Sequence, residues 1–267
     1  MPRFDRKVAF VTAGATGIGF ATAKALAEGG ASVMISSLAS DEEKLCEASE
    51  ELGETVDYVL CDVRNDDDVD TAVGRTVERF GSLDLAFNCA GTGTYAPIRD
   101  QSAEDFTENF ETTLLGTLRC LRAEANYMAE HGGGAIVNVS SIAARVTHPS
   151  MAGYCAAKAG VNMLTRCAAA EFGEFGIRVN GVMPGAIRTP MASMLYDYEV
   201  SKREFFRLMA IKRIGEPEDV ARMAAFLLSE EASWVTGQIV AVDGGITIDR
   251  GPDLIPLFDE MAQASSR

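Results

Sequence analysis

Short apolar runs alternate with longer stretches in which apolar positions recur every three to four residues. KVAFVT (7–12), ASVMISS (31–37), VDYVLCDV (56–63), LDLAFNCAG (83–91), GAIVNVSS (134–141), IRVNGVMPG (177–185) and GQIVAVDGG (237–245) read as strands. Each is nearly continuously apolar, as expected when helices cover both faces of a sheet. Helical patterns lie between them. IGFATAKALAEGG (18–30) follows the first strand, and DEEKLCEASEELG (41–53) has acid at its start and Gly at its end. Longer patterns cover about 103–130 and 153–173, and EPEDVARMAAFLLSEEA (216–232) has Pro and acid in its first turn. The order predicts a single α/β domain over 1–267. Its core would be one doubly wound parallel sheet of about seven strands, with right-handed crossovers and helices on both faces. No composition break or short-period repeat divides it.

One segment breaks the rhythm. Residues 189–215, TPMASMLYDYEVSKREFFRLMAIKRIG, are helical in places and rich in Met, Phe and Tyr. They follow the C-terminal end of a strand, where open α/β sheets bind ligands. The segment reads either as a helix packed on the core or as a lid over a substrate.

Charge and composition narrow the function classes. The 267 residues carry a formal net charge of -15, which argues against a nucleic-acid surface. No apolar run is long enough to cross a bilayer, and MPRFDRKVAFVT does not read as a signal peptide. A soluble cytoplasmic protein is expected. Six scattered cysteines, none in CxxC, read as reduced core residues, and two histidines make no His-rich metal site. No metal is expected.

The turn VTAGATGIGF (11–20) joins the first strand to the first helix. Its Gly14, Gly17 and Gly19 are read as the spacing G-x-x-x-G-x-G. Glycine allows positive φ and close approach of a ligand to the backbone. The free N–H groups of the following helix favour an anion there. The turn is neither a P-loop nor the common G-x-G-x-x-G fingerprint. Nucleotide binding competes here with a tight turn made for packing.

Taken together, TAGATGIG (12–19), NCAG (88–91), Ser141, YCAAK (154–158) and PGAIRT (184–189) resemble the short-chain dehydrogenase/reductase family, in its single-domain branch, over residues 5 to about 248. The resemblance implies a Rossmann-type fold and an NAD(P)-dependent oxidoreductase. It would move a hydride between nicotinamide and a secondary alcohol or ketone of small to medium, apolar character. It further implies that Gly14, Thr16, Gly17, Ile18 and Gly19 hold the pyrophosphate and adenosine ribose. Asp62 and Val63 would meet the adenine. Asn88, Ala90 and Gly91 would line the cofactor and steady the central sheet. Ile187 and Thr189 would hold the carboxamide, with Pro184 and Gly185 shaping the approach. Ser141, Tyr154 and Lys158 would be catalytic, Tyr154 and Lys158 also touching the cofactor. A homotetramer built partly from the helices near 103–130 and 153–173 is implied in the same way.

The residue types suit that chemistry. A phenol of pKa about 10 is a poor base at neutral pH. The Lys158 ammonium is expected to lower it toward working pH. Ser141 can hydrogen-bond the substrate oxygen as charge develops. Against these roles stand plainer ones. Ser140 and Ser141 would also cap a strand end, His148 reads as a loop residue, and Cys155 as a small residue facing away from Tyr154.

Three departures from the family pattern matter. Thr113 stands where many members have an Asn in a proton relay, with Asn109 one turn earlier. At the end of the second strand, Ser37 stands in place of an Asp that would bond the ribose 2′-OH of NAD, and Leu38 in place of an Arg that would suit NADP. Ser36, Ser37 and Arg64 are the local donors, so NAD and NADP both stay open, with a slight lean to NADP. Cys89 replaces a frequent second Asn. The tail 249–267, DRGPDLIPLFDEMAQASSR, reads as an extension that packs on a neighbouring subunit or covers the substrate entrance. A non-catalytic or regulatory nicotinamide-binding protein of the same fold is the alternative function. An enoyl reductase fits less well, because those relatives space Tyr and Lys more widely.

Overall fold

The computed structural model describes residues 3–248 and 260–261. Seven parallel strands form one sheet in the order β3-β2-β1-β4-β5-β6-β7. They are β1 (Val8–Thr12), β2 (Ser32–Ser37), β3 (Val56–Leu60), β4 (Leu85–Asn88), β5 (Gly134–Val139), β6 (Ile177–Pro184) and β7 (Ile239–Val242). The helices are α1 (Gly17–Glu28), α2 (Glu42–Leu52), α3 (Asp66–Phe80), α4 (Ala103–Asn109), α5 (Gly116–Glu130), α6 (Ala152–Phe172), α7 (Ser193–Asp197), α8 (Glu199–Leu208) and α9 (Pro217–Leu228). The chain runs outward from β1 to β3, then returns to the far side of β1 at β4. That reversal opens a crevice above the C-terminal ends of β1 and β4, the place where such sheets bind ligands.

Side chains alternate between the faces along each strand. Ala9, Val11, Val33, Ile35, Phe87 and Val137 pack with residues of α1 and α9. Phe10, Met34, Ala86, Ile136 and Val179 pack with residues of α3, α5 and α6. Phe10 and Phe87 are fully buried, and burial of side chains this size stabilises by roughly 1.5–3 kcal/mol each. A third, small cluster joins Met209 and Ile214, at the end of the 189–215 segment, to Ile142, Ala186 and Ile246. That segment is therefore anchored beside the crevice; α8 has no fully buried residue, but its Phe205 and Phe206 pack half-buried against the same cluster.

Four details differ from the sequence reading. The edge strands β3 and β7 are only partly buried, because no further strand and less helix cover them. The helix α3 went unread between two strands; Asn65 caps it and three acids, Asp66 to Asp68, fill its first turn. The pattern at 103–130 is not one regular helix: residues Phe110–Leu115 form a π-helical segment between α4 and α5. Of the six cysteines, only Cys61 and Cys120 are buried; Cys46, Cys89 and Cys155 are half-buried and Cys167 is exposed on α6. All six are free thiols. Apart from positions 260 and 261, the extension read over 249–267 lies outside the described residues. No described helix is long and apolar enough to cross a membrane.

Candidate active site

The crevice floor begins at Thr12. Its hydroxyl accepts from the Cys89 and Ala90 amides at 2.9 and 3.1 Å, tying the turn after β1 to the loop after β4. The glycine spacing needs correction. Gly14 and Gly17 are three positions apart, so the residue in the first-glycine place of a T-G-x-x-x-G-x-G turn is Ala13. Ala13 sits at φ 52, in the left-handed region, where an L side chain is strained. Gly17 has φ 58. A Cβ on Gly19 would stand 2.1 Å from the Ala13 carbonyl oxygen, and one on Gly14 would stand 2.7 Å from Ile35. These positions require glycine for close approach.

The start of α1 is left open. Its N-cap Thr16 makes no side-chain cap, and its first turn holds no acid. In contrast, α3 and α4 are capped by Asn65 and Ser102, and α9 by a Glu216/Asp219 box, all with acids in the first turn. Unsatisfied N–H groups at a helix start, free of nearby negative charge, fit a phosphate. The donor set here therefore suits the pyrophosphate of a dinucleotide, with Thr16, Gly17 and Ile18 on the crevice wall.

The reacting end is built on β5, β6 and α6. Ser141 follows β5; its hydroxyl accepts from the Ala143 amide at 3.2 Å and is hydrogen-bonded to the Tyr154 phenol. It thus caps a short 3-10 turn and also faces Tyr154. Tyr154 and Lys158 lie one turn apart on α6, with the Lys158 Nζ 5.8 Å from the phenol ring centre. Lys158 is buried and donates to the Val139 carbonyl at 2.8 Å. Gly91 and Gly93 let the loop after β4 pass close by. A Cβ on Gly91 would lie 3.4 Å from both Lys158 Nζ and Thr113 Oγ1. A Cβ on Gly93 would press on the Tyr154 ring at 3.2 Å.

Titration at this end does not follow the sequence expectation. Burial pushes the Tyr154 phenol up to about 12, with the Ser141 hydrogen bond pulling the other way. Burial pulls the Lys158 ammonium down to about 8. Desolvation of the charged form is the largest cause of both shifts. Burial also pushes the Cys89 thiol up to about 11, so this crevice cysteine stays protonated near neutrality.

Thr113 stands beside this pair, in the π-helical segment, a kind of irregularity common at functional sites. Its hydroxyl is taken up by the Thr92 backbone, accepting from N and donating to O at 3.2 Å each. Its carbonyl accepts from the Thr117 hydroxyl at 2.7 Å. Asn109 does not stand in for it. Its amide is committed to Thr94 and the Asp105 carbonyl, at 2.6 and 2.8 Å from Nδ2.

The remaining predicted residues fall around the crevice with unequal access. Asn88 is buried and bridges Glu124 and Asn138 at 2.9 and 3.0 Å, steadying the sheet centre; Ala90 is half-buried beside it. Pro184 ends β6 and Gly185 follows it; a Cβ on Gly185 would meet Asp243 at 2.8 Å. Ile187 and Thr189 line the crevice, with the Thr189 hydroxyl accepting from the Ala192 amide. Val63 is buried against Gly116, so its side chain faces the core. Both Asp62 oxygens are taken by Arg64, at 2.9 and 2.6 Å. Ser37 ends β2, away from the reacting end. Met191 and Phe205 of the apolar wall come from the 189–215 segment already read as a possible lid, and His148, read as a loop residue, stands beside them. Sequence reasoning missed Tyr95, Ile142 and Met151, which follow strand ends, and that position was the only available signal.

The chain matches, over residues 12–247, the family described as enoyl-(acyl carrier protein) reductase. It is 40% identical over 245 residues to cis-4-hydroxycyclohexanecarboxylate dehydrogenase of Sinomonas cyclohexanicum, covering 91% of this chain and 98% of that one. It is 38% identical over 247 residues to cyclohexanol dehydrogenase of Acinetobacter sp. (strain SE19), covering 92% and 96%. Among solved structures it is similar to 7α-hydroxysteroid dehydrogenase complexed with NADH and 7-oxo glycochenodeoxycholic acid. That likeness has a TM-score of 0.87 and 32% identity, and it covers 91% of this chain and 95% of that one.

Proposed function

The chain belongs to the short-chain dehydrogenase/reductase family, and from that premise we propose that it oxidises an alicyclic secondary alcohol, or reduces the matching ketone, with Tyr154 as general acid/base. The coarser activity, an NAD(P)-dependent alcohol dehydrogenase or ketone reductase, follows from the named relatives. The observation that carries the finer reading is the Ser141–Tyr154 hydrogen bond at the mouth of an apolar wall, with Lys158 behind it. Two relatives named for cyclohexane-ring alcohols support the substrate class.

In this reading the turn 13–19 and the start of α1 hold the pyrophosphate, and Asn88, Ala90 and Gly91 flank the dinucleotide. Ile187 and Thr189 hold the nicotinamide end. The bound nicotinamide supplies the hydride acceptor or donor. Tyr154, as phenolate, takes the proton from the substrate hydroxyl in oxidation and returns it in reduction. Ser141 donates to the substrate oxygen as negative charge grows there. Lys158 stabilises the phenolate. Thr113 joins through its carbonyl, an acceptor that can hold a water passing protons toward Lys158. The segment 189–215 serves as a lid, since Met191 and Phe205 face the crevice while Met209 and Ile214 anchor it.

Assembly as a homotetramer and a cytoplasmic location belong to the same reading. Exposed Phe106, Leu115, Leu118 and Met163 on the 103–130 stretch and α6 support the first, and six free thiols support the second. The test is a panel of cyclic and open-chain secondary alcohols with NAD and NADP, following formation of the reduced cofactor. Oxidation of cyclohexanol-type alcohols is expected. Tight cofactor binding with no alcohol oxidised would favour a non-catalytic nicotinamide-binding protein instead.

A further inference from the structure

The sequence around the end of β2 shows no acid at position 37 and no base at position 38, yet the fold supplies a carboxylate there. Ser37 ends β2 and its hydroxyl donates to Asp41 Oδ2 at 3.1 Å. A 3-10 turn over Ala39–Asp41 folds the chain back, closed by the Asp41 amide on the Leu38 carbonyl at 2.9 Å. The other Asp41 oxygen accepts from Lys44 Nζ at 2.6 Å. These two bonds hold the carboxylate at the Ser37 side chain, and both also keep its pKa below the ordinary carboxylate range.

This pair stands at the end of β2, next to the glycine turn. Thr12 pairs with Ser36 across β1 and β2, and the Gly14 amide donates to the Ser36 carbonyl at 3.0 Å. The phosphate turn therefore rests directly on the end of β2, one residue from Ser37. A ribose next to the pyrophosphate would reach toward the end of β2, where the Ser37–Asp41 pair stands. The nearby cations are already engaged: Lys44 by Asp41, and Arg64 by both oxygens of Asp62.

We propose that Asp41, held by Ser37, is the specificity-determining residue for the cofactor: its carboxylate accepts from the ribose 2′-hydroxyl and repels a 2′-phosphate, so that the chain selects NAD over NADP. This departs from the lean to NADP, which weighed positions 36, 37, 38 and 64 alone. The inference rests on the dinucleotide site proposed above. A carboxylate accepting from one hydroxyl while bonded to Ser37 and Lys44 uses its remaining lone pairs. A dianionic phosphate in the same place meets a like charge with no unengaged Lys or Arg beside it among the groups just named.

The test is a fluorescence titration of the full-length protein with NADH and with NADPH, at one pH and ionic strength. NADH is expected to bind at least about tenfold more tightly, the scale of one like-charge contact near a protein surface. Asp41→Asn keeps a side chain able to bond Ser37 but removes the charge. It is expected to tighten NADPH binding about fivefold or more and so narrow the preference. Thermal unfolding of the variant checks that it is folded. Equal or tighter NADPH binding by the unaltered protein would overturn the proposal, as would a preference unchanged in Asp41→Asn. A double variant, Asp41→Asn with Lys44→Ala, separates the one remaining reading, a lysine that swings onto the phosphate once Asp41 no longer holds it. A gain in NADPH binding that persists in the double variant supports the account, whereas a gain that disappears there belongs to the lysine and would contradict it. Failure of the unaltered protein to bind either cofactor would instead overturn the dinucleotide site itself.

Discussion

Tyr154 and Lys158 meet because a helix places positions four apart on one face, and that much could be read from YCAAK. Their titration could not, because it depends on how much of the protein surrounds them. With Lys158 buried and Tyr154 half-buried, desolvation pushes the phenol up and the ammonium down. Asp41 was hidden for a related reason: as the first residue of DEEKLCEASEELG it looked like a helix-start acid, and only the 3-10 turn brings it to Ser37. Ala13 is the other residue whose role the structure changes. Its φ of 52 costs an L residue strain that glycine avoids. Ala13→Gly is therefore expected to stabilise the protein by roughly 1 kcal/mol, offset in part by the greater freedom of glycine in the unfolded chain. A urea-unfolding midpoint that rises at unchanged slope would agree; a fall would mean that the Ala13 methyl contributes more packing than its backbone costs.

Among the elements, α5 carries a feature that no motif announced. Glu124 is fully buried, bonded to Asn88, and its second oxygen has no partner; the Asn88 oxygen also lacks one. Burial pushes its carboxyl from 4.5 up to about 8. A folded-state pKa above the unfolded one gives stability that is complete below the unfolded value and lost as pH rises through the folded value. The window for Glu124 is thus from about 4.5 to about 8, and the full span corresponds to about 5 kcal/mol. Lys158 works in the opposite sense above that window: its lowered pKa costs stability at neutral pH that is regained as pH rises from about 8 toward 10.5. Glu124→Gln keeps the acceptor for Asn88 and removes the titration. Its stability advantage over the unaltered protein should be small near pH 4.5 and largest at pH 8, measured by unfolding across that range. Parallel pH profiles for the two proteins would contradict the assignment. The strands and most helices around α5 were legible from their apolar periodicity. The π-helical segment was not, since it keeps a helical pattern while shifting which side chains face Thr92 and Gly91. The edge strands were misjudged because apolar sequence says nothing about where a sheet stops.

At the scale of the whole molecule, the βα alternation was enough to predict one parallel sheet, and its order places a crevice where β1 and β4 part. Residues distant in sequence become neighbours there: Thr12 with Cys89, Gly17 with Thr189, Gly93 with Tyr154. The motifs lie at the ends of different strands, which is why they were recognisable as a set and weak singly. The apolar wall formed by the segment 189–215 and the loops after β4 and β5 was less legible, because its residues act by position and not by type. The exposed apolar residues on the long helices support the proposed tetramer, and light scattering is expected to report four chains per particle; a monomer at working concentration would contradict it. The central claim is that this assembled crevice moves a proton through Tyr154 while a nicotinamide moves the hydride. The most direct measurement compares Tyr154→Phe with the unaltered protein for reduced-cofactor affinity and for turnover of a cyclohexanol-type alcohol. Cofactor affinity should stay within about threefold, and turnover should fall by at least about a hundredfold, the scale of a lost general acid/base. Near-normal turnover by Tyr154→Phe would contradict the account.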